Sequence, residues 1–168
     1  MIFRLAIHSY MQAGNDATAR ELCNTIQSHS NLTSDDFAIC AFISSRLGRY
    51  EEALDLFEKS LNLDNTNKYA LNNRGYTYNL MEQYEKAIAD FDRSIEVAPN
   101  FAYAYNNRGL AKIKLGSVAE GLKDIEVSLS LDPENAYAYR NRGIYHFDQG
   151  EYKLALEDFN RALTIDPQ

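Results

Sequence analysis

Asn73-Arg74-Gly75 returns as Asn107-Arg108-Gly109 and again as Asn141-Arg142-Gly143, a constant step of 34 residues. Three further anchors keep that step: Tyr69, Tyr103 and Tyr137; Asp90, Asp124 and Asp158; Pro99, Pro133 and Pro167. A fixed period of this length marks a tandem array of one supersecondary unit. One period earlier, Gly48-Arg49-Tyr50-Glu51-Glu52-Ala53-Leu54 matches Glu82-Gln83-Tyr84-Glu85-Lys86-Ala87-Ile88 and Gly150-Glu151-Tyr152-Lys153-Leu154-Ala155-Leu156. One more step back reaches Gly14-Asn15-Asp16-Ala17-Thr18-Ala19-Arg20, a faded version of the same loop and second helix. The chain therefore reads as a single array of copies at 1–33 (degenerate), 34–67, 68–101, 102–135 and 136–168, with no linker, low-complexity segment or second domain.

Within a copy the apolar residues follow helical spacing: Ala87, Phe91, Ile95 and Val97 in one, Ala155, Phe159, Ala162, Leu163 and Ile165 in another. A glycine or polar pair separates two such runs. The prolines fall just past the second run, where a helix cannot continue but a turn into the next copy is favoured. Each copy is predicted to be a helical hairpin, and the fold class all-α.

These residues resemble the tetratricopeptide repeat along the whole chain, most strongly from about residue 34 onward. The family's small residue at the helix crossing is matched by Ala41, Gly75, Gly109 and Gly143. Its small residue early in the second helix is matched by Ala53, Ala87, Gly121 and Ala155, and the aromatic four residues later by Phe57, Phe91, Ile125 and Phe159. Small residues let two helix backbones approach, and the aromatic fills the wedge beside them. Two departures stand out. Asn65 replaces the closing proline of the second copy, and Gly121 with Ile125 replaces the usual Ala and aromatic, which predicts a soft second helix in the fourth copy.

The resemblance implies a right-handed superhelical solenoid of helix-turn-helix repeats whose first helices line a concave groove. Its groove positions correspond here to Tyr69, Tyr103 and Tyr137; Asn72, Asn106 and Arg140; Asn73, Asn107 and Asn141; Tyr76, Leu110 and Ile144; and Asn79, Ile113 and Phe147. An amide both donates and accepts, so the repeated asparagines can hold a peptide backbone whatever its sequence, as in the asparagine ladder of other superhelical members; the alternative is that they tie helices together. For the tyrosines, packing on the preceding hairpin is the favoured role, though a ring can be buried with its hydroxyl wet.

Arg74, Arg108 and Arg142 always stand sixteen residues before Asp90, Asp124 and Asp158, whereas the same two positions are Ala6 with Leu22 and Cys40 with Leu56 in the first two copies. Arginine travels with aspartate and apolar with apolar. The pattern predicts a structural ion pair inside each hairpin rather than a binding or catalytic site.

The formal charge is −7, with 24% charged and 45% hydrophobic residues. This composition is that of a folded chain, and the acidic field disfavours nucleic acid and anionic membrane surfaces as partners. Two cysteines, Cys23 and Cys40, fall at helix-packing positions and read as buried reduced thiols in a cytoplasmic protein. The opening segment Met1-Ile2-Phe3-Arg4-Leu5-Ala6-Ile7-His8 reads as no signal peptide. No apolar run has the length of a membrane span.

No phosphate loop, zinc-spaced cluster or nucleophile elbow occurs, and His8, His29 and His146 are scattered, so neither cofactor, metal nor catalysis is expected. The expected function is a protein or peptide adaptor. Acidic C-terminal chaperone tails are disfavoured as ligands, since the lysines of the carboxylate clamp are replaced by Tyr69, Asn72, Tyr103 and Asn106. The alternatives are a scaffold forming a homodimer through the C-terminal copy, around Leu156, Phe159 and Leu163, because the chain stops at Pro167-Gln168 without a covering helix, and a secretion-type chaperone. Helical-repeat RNA recognition conflicts with the charge.

Overall fold

The computed structural model describes residues 9–10, 13–27 and 31–167, and the described elements are all helices. They form two compact units that divide between Glu82 and Gln83. The first unit contains α1 (Asp16–Gln27), α2 (Ser34–Arg46), α3 (Tyr50–Leu63) and α4 (Lys68–Leu80). The second contains α5 (Tyr84–Val97), α6 (Ala102–Lys114), α7 (Val118–Leu131), α8 (Ala136–Asp148) and α9 (Tyr152–Ile165).

Local chemistry starts and stops these helices where the repeat predicts. Thr33 and Asp36 form a reciprocal capping box at α2, and Asn67 and Asn135 cap α4 and α8 through their side-chain oxygens. The turn inside a hairpin needs one left-handed residue, supplied by Gly48, Gly116 and Gly150 at φ of 72°, 88° and 76°. Glu82 takes the same position at φ 57°, a conformation that carries a steric cost for a residue with a Cβ.

Packing within each hairpin follows the small-residue rule. In the first unit Ala41 and Ala53 are fully buried and Phe57 fills the space beside them, also at 0% exposure. Burying such a ring is worth about 1.5–3 kcal/mol relative to leaving it in water. In the second unit Ala87, Phe91 and Ile125 are likewise at 0% exposure. The closest approach is between α6 and α7. A Cβ at Gly121 would lie 2.5 Å from the carbonyl oxygen of Gly109, and one at Gly109 would lie 2.6 Å from that of Gly121. Gly121 is therefore a requirement of contact between two backbones, at an approach closer than the alanine found at this position in Ala53, Ala87 and Ala155 would permit.

The cysteines require a correction. Cys23 of α1 and Cys40 of α2 are joined in a disulfide, not held as reduced thiols, with their Cα atoms 5.6 Å apart. The helices α1 and α2 bring two buried positions within bridging distance, which a spacing of seventeen residues does not reveal. His8 and His29, the opening segment read for a signal, and Ala6 of the apolar pair lie outside the described residues.

Candidate functional site

The first helices of each unit place their candidate residues side by side. In the second unit, α6 and α8 bring Tyr103 and Tyr137 edge to face, ring centroids 6.4 Å apart, with 42% and 50% of each residue exposed. The Arg140 guanidinium lies 5.5 Å from the centre of the Tyr137 ring. Further along α8, Ile144 and Phe147 are exposed, and Phe147 meets Tyr152 of α9 edge-on at 5.5 Å. Leu110 of α6 is half-buried. Partial burial, together with the nearby Asp132 carboxylate and Tyr137, pushes the Tyr103 phenol above its ordinary value, so it remains a neutral hydrogen-bonding group.

The amides divide into two roles. Asn106 is almost fully buried; its Oδ1 accepts from Nδ2 of Asn141 at 3.0 Å and its Nδ2 donates to Oδ1 of Asn107 at 3.2 Å. This chain of amides ties α8 to α6. In the first unit Asn72 is likewise buried and donates to Oδ1 of Asn73 at 3.0 Å. Asn72 and Asn106 thus leave the set of exposed groove residues, because a buried amide is held by neighbouring protein groups. Asn73, Asn107 and Asn141 remain half-buried at the surface.

The first unit presents a comparable face. Tyr69 is 54% exposed with the Lys68 ammonium 5.0 Å from its ring centre, and Phe42 of α2 approaches Tyr76 of α4 at 6.5 Å. Thr77 donates to Oγ of Ser45 at 2.9 Å in a buried bond that fastens α4 to α2. The three tyrosines Tyr69, Tyr103 and Tyr137 are about half in solvent.

Arg108 holds Asp124 with two bonds, Nε to Oδ2 at 2.8 Å and Nη2 to Oδ1 at 2.7 Å, and Arg142 holds Asp158 in the same fork at 2.9 and 2.7 Å. Arg74 lies in the first unit and Asp90, buried, in the second. Burial alone would raise the Asp124 carboxyl, but hydrogen bonds from Arg108 and Lys112 outweigh it and hold it below its ordinary value. Asp124 and Asp158 in turn push Arg108 and Arg142 upward, so both arginines stay charged.

Two members of this network are absent from the sequence reading. Arg108 also reaches back to Asp92 of α5 at 2.7 Å, joining one hairpin to the next, and Lys112 reaches Asp124 at 2.8 Å. The recurrence of an acidic residue at Glu58, Asp92 and Glu126 was the available signal. His146 occupies the position of Lys112 one copy later, 2.6 Å from Glu151 and 3.8 Å from Asp158. Among the described residues no group of three His, Cys, Asp or Glu side chains could hold a metal ion, and no helix is long and apolar enough to cross a membrane.

Family models described as the tetratricopeptide repeat match residues 41–67, 69–101, 102–135 and 136–168. The chain belongs to the tetratricopeptide-repeat family. No curated protein matches the sequence. Among solved structures, PilF of Pseudomonas aeruginosa superposes with a TM-score of 0.80 at 20% identity, covering 99% of this chain and 76% of PilF. The Cut9–Hcn1 hetero-tetramer matches with a TM-score of 0.80 at 18% identity, over 96% of this chain and 32% of that one. MamA from Desulfovibrio magneticus RS-1 matches with a TM-score of 0.72 at 21% identity, over 99% and 94%. At these identities the likeness is one of fold, the all-α tetratricopeptide solenoid, and membership of the family makes this chain a protein–protein interaction module. The family's members are in general non-enzymatic.

Proposed function

We propose that the tetratricopeptide array binds a segment of a partner protein along the faces made by its first helices, and that in the second unit the contact is made by α6 and α8. The observation that carries this reading is the row of half-exposed Tyr103, Tyr137, Ile144 and Phe147 on two adjacent helices. A contiguous apolar and aromatic strip left in water marks an interaction surface, and tyrosine offers large contact area at low entropic cost. Asn107 and Asn141 beside that strip, with Asn73 on the corresponding face of the first unit, supply amides for the backbone of a bound segment. Arg140 adds a cation to one end. The acidic net charge and the lack of clamp lysines at Tyr69, Asn72, Tyr103 and Asn106 argue against nucleic acid, membrane surfaces and acidic chaperone tails as ligands.

The test is selection of binders from a displayed peptide library, followed by titration against the chain and against a Tyr103→Ala/Tyr137→Ala variant. Both tyrosines are half exposed, so the fold survives their loss. Affinity should fall at least about tenfold, from roughly 1.4 kcal/mol or more of lost aromatic contact. Unchanged affinity would place the binding elsewhere.

A second reading, a homodimer through the last hairpin, has its own support. Leu156 and Leu163 of α9 are 60% and 57% exposed, and a cavity of about 230 Å³ lined by Tyr137, Arg140, Phe159, Ala162, Leu163 and Asp166 opens on this face. A face that carries both a cation and an anion around an apolar centre is self-complementary under a two-fold axis. Sedimentation equilibrium of Arg140→Glu, Asp166→Arg and the double swap tests it: each single change should dissociate the dimer and the double should restore it. A wild-type monomer would end this reading.

A further inference from the structure

We propose that the Cys23–Cys40 bond is a thiol–disulfide exchange site that latches α1 onto the first unit and is opened by a dithiol reductant. Three observations carry it. Cys23 stands one repeat before Phe57, at the wedge position that Phe57 fills in the following hairpin at 0% exposure. A cysteine fills much less of that wedge, so at this point α1 is held by less apolar contact than α3 is. Among the described residues of α1, Ala19, Cys23 and Ile26 are buried and Leu22 is partly so, where α3 at the same place in the next hairpin buries Ala53, Leu56, Phe57, Ser60 and Leu61.

The polar hold is also poor. Asp16 meets Arg46 at 2.9 Å and Arg20 meets Glu52 at 3.4 Å, in partly exposed pairs of the kind that add little. In the docked position Asp16 Oδ1 and Arg20 Nε are buried without a hydrogen-bond partner, which disfavours docking. The covalent tie closes a span of 17 residues and so compensates for what the side chains lack. The corresponding joint of the second unit needs no such tie, since Arg108 bridges α6 to Asp92 of α5.

The exchange balances as a two-electron transfer. A thiolate of the reductant attacks one cysteine sulfur, forming a mixed disulfide and releasing the other cysteine; the second reductant thiol then displaces the first cysteine. The reductant ends as a disulfide, and Cys23 and Cys40 end as thiols carrying its two protons. Cys23 and Cys40 are 2% and 1% exposed, so attack waits for α1 to lift. Once reduced, α1 undocks and uncovers the side of α2 that carries Cys40.

Hydrogen exchange with mass spectrometry tests this on three samples: the oxidised chain, the chain reduced with dithiothreitol, and a Cys23→Ala/Cys40→Ala variant. Amides of α1 should lose protection on the order of a hundredfold on reduction and equally in the variant, while α6 to α9 change less than about twofold. The rate of reduction should level off at high dithiothreitol, at the rate of α1 opening. Unchanged protection of α1 in the reduced chain would overturn the latch, as would a reduction rate that stays proportional to dithiothreitol throughout. So would free thiols at both cysteines in the air-oxidised chain.

Discussion

Replacing Arg142 with Leu should destabilise the last hairpin more than replacing Arg142 and Asp158 together. Asp158 is 5% exposed, and both oxygens are held by the Arg142 fork. Removing the guanidinium leaves a carboxylate out of water with His146, 3.8 Å away, as its nearest cationic partner when protonated. Breaking a buried pair from one side costs about 3–5 kcal/mol, and the partial exposure of Arg142 places this site near the lower figure. For a chain of this length about 3 kcal/mol corresponds to roughly 6–12 °C in the melting temperature. The double change Arg142→Leu/Asp158→Leu removes both charges and substitutes an apolar contact. The second copy carries apolar groups at the same two positions, Leu56 at 3% exposure and Cys40, half of the disulfide to Cys23, at 1%. The double variant should therefore lie within about 1 kcal/mol of the parent. Urea unfolding of the two single variants and the double closes the cycle, and hydrogen exchange on α8 and α9 locates the effect, since a repeat array need not unfold as one unit. A double variant that loses the sum of the two single losses would refute the reasoning.

Gly121→Ala should destabilise the chain by about 1–3 kcal/mol in thermal melts despite the higher helix propensity of alanine, because its Cβ would meet the Gly109 carbonyl at 2.5 Å. Asp92→Ala should cost less than about 1 kcal/mol, since Asp92 is 48% exposed, whereas Asp124→Ala, at a 9% exposed side chain, should cost about 3 kcal/mol or more in the same urea assay. Acid should weaken the second unit through Asp124. Its folded value lies below its unfolded one, so its contribution is complete above the unfolded value near 4 and is lost as pH falls through the folded value. Urea midpoints measured between about pH 5 and pH 2 should fall, with a shallower slope in Asp124→Asn.

The recurrence at 34 residues, the small residues at the helix crossings and the prolines beyond them determined the hairpins and the family without coordinates, because each hairpin is closed by contacts local in sequence and repeated at one register. The arginine–aspartate forks were legible for the same reason: sixteen residues always separate the two helices at that height. What depended on distance across hairpins was not. Only the tertiary structure decided that Asn106 and Asn141 bond to each other, that Asp92 reaches Arg108, and that Cys23 and Cys40 are joined. A periodic pattern records which face a residue occupies, whereas the partner it meets there depends on the rotation and separation of packed helices, which side-chain volumes set collectively.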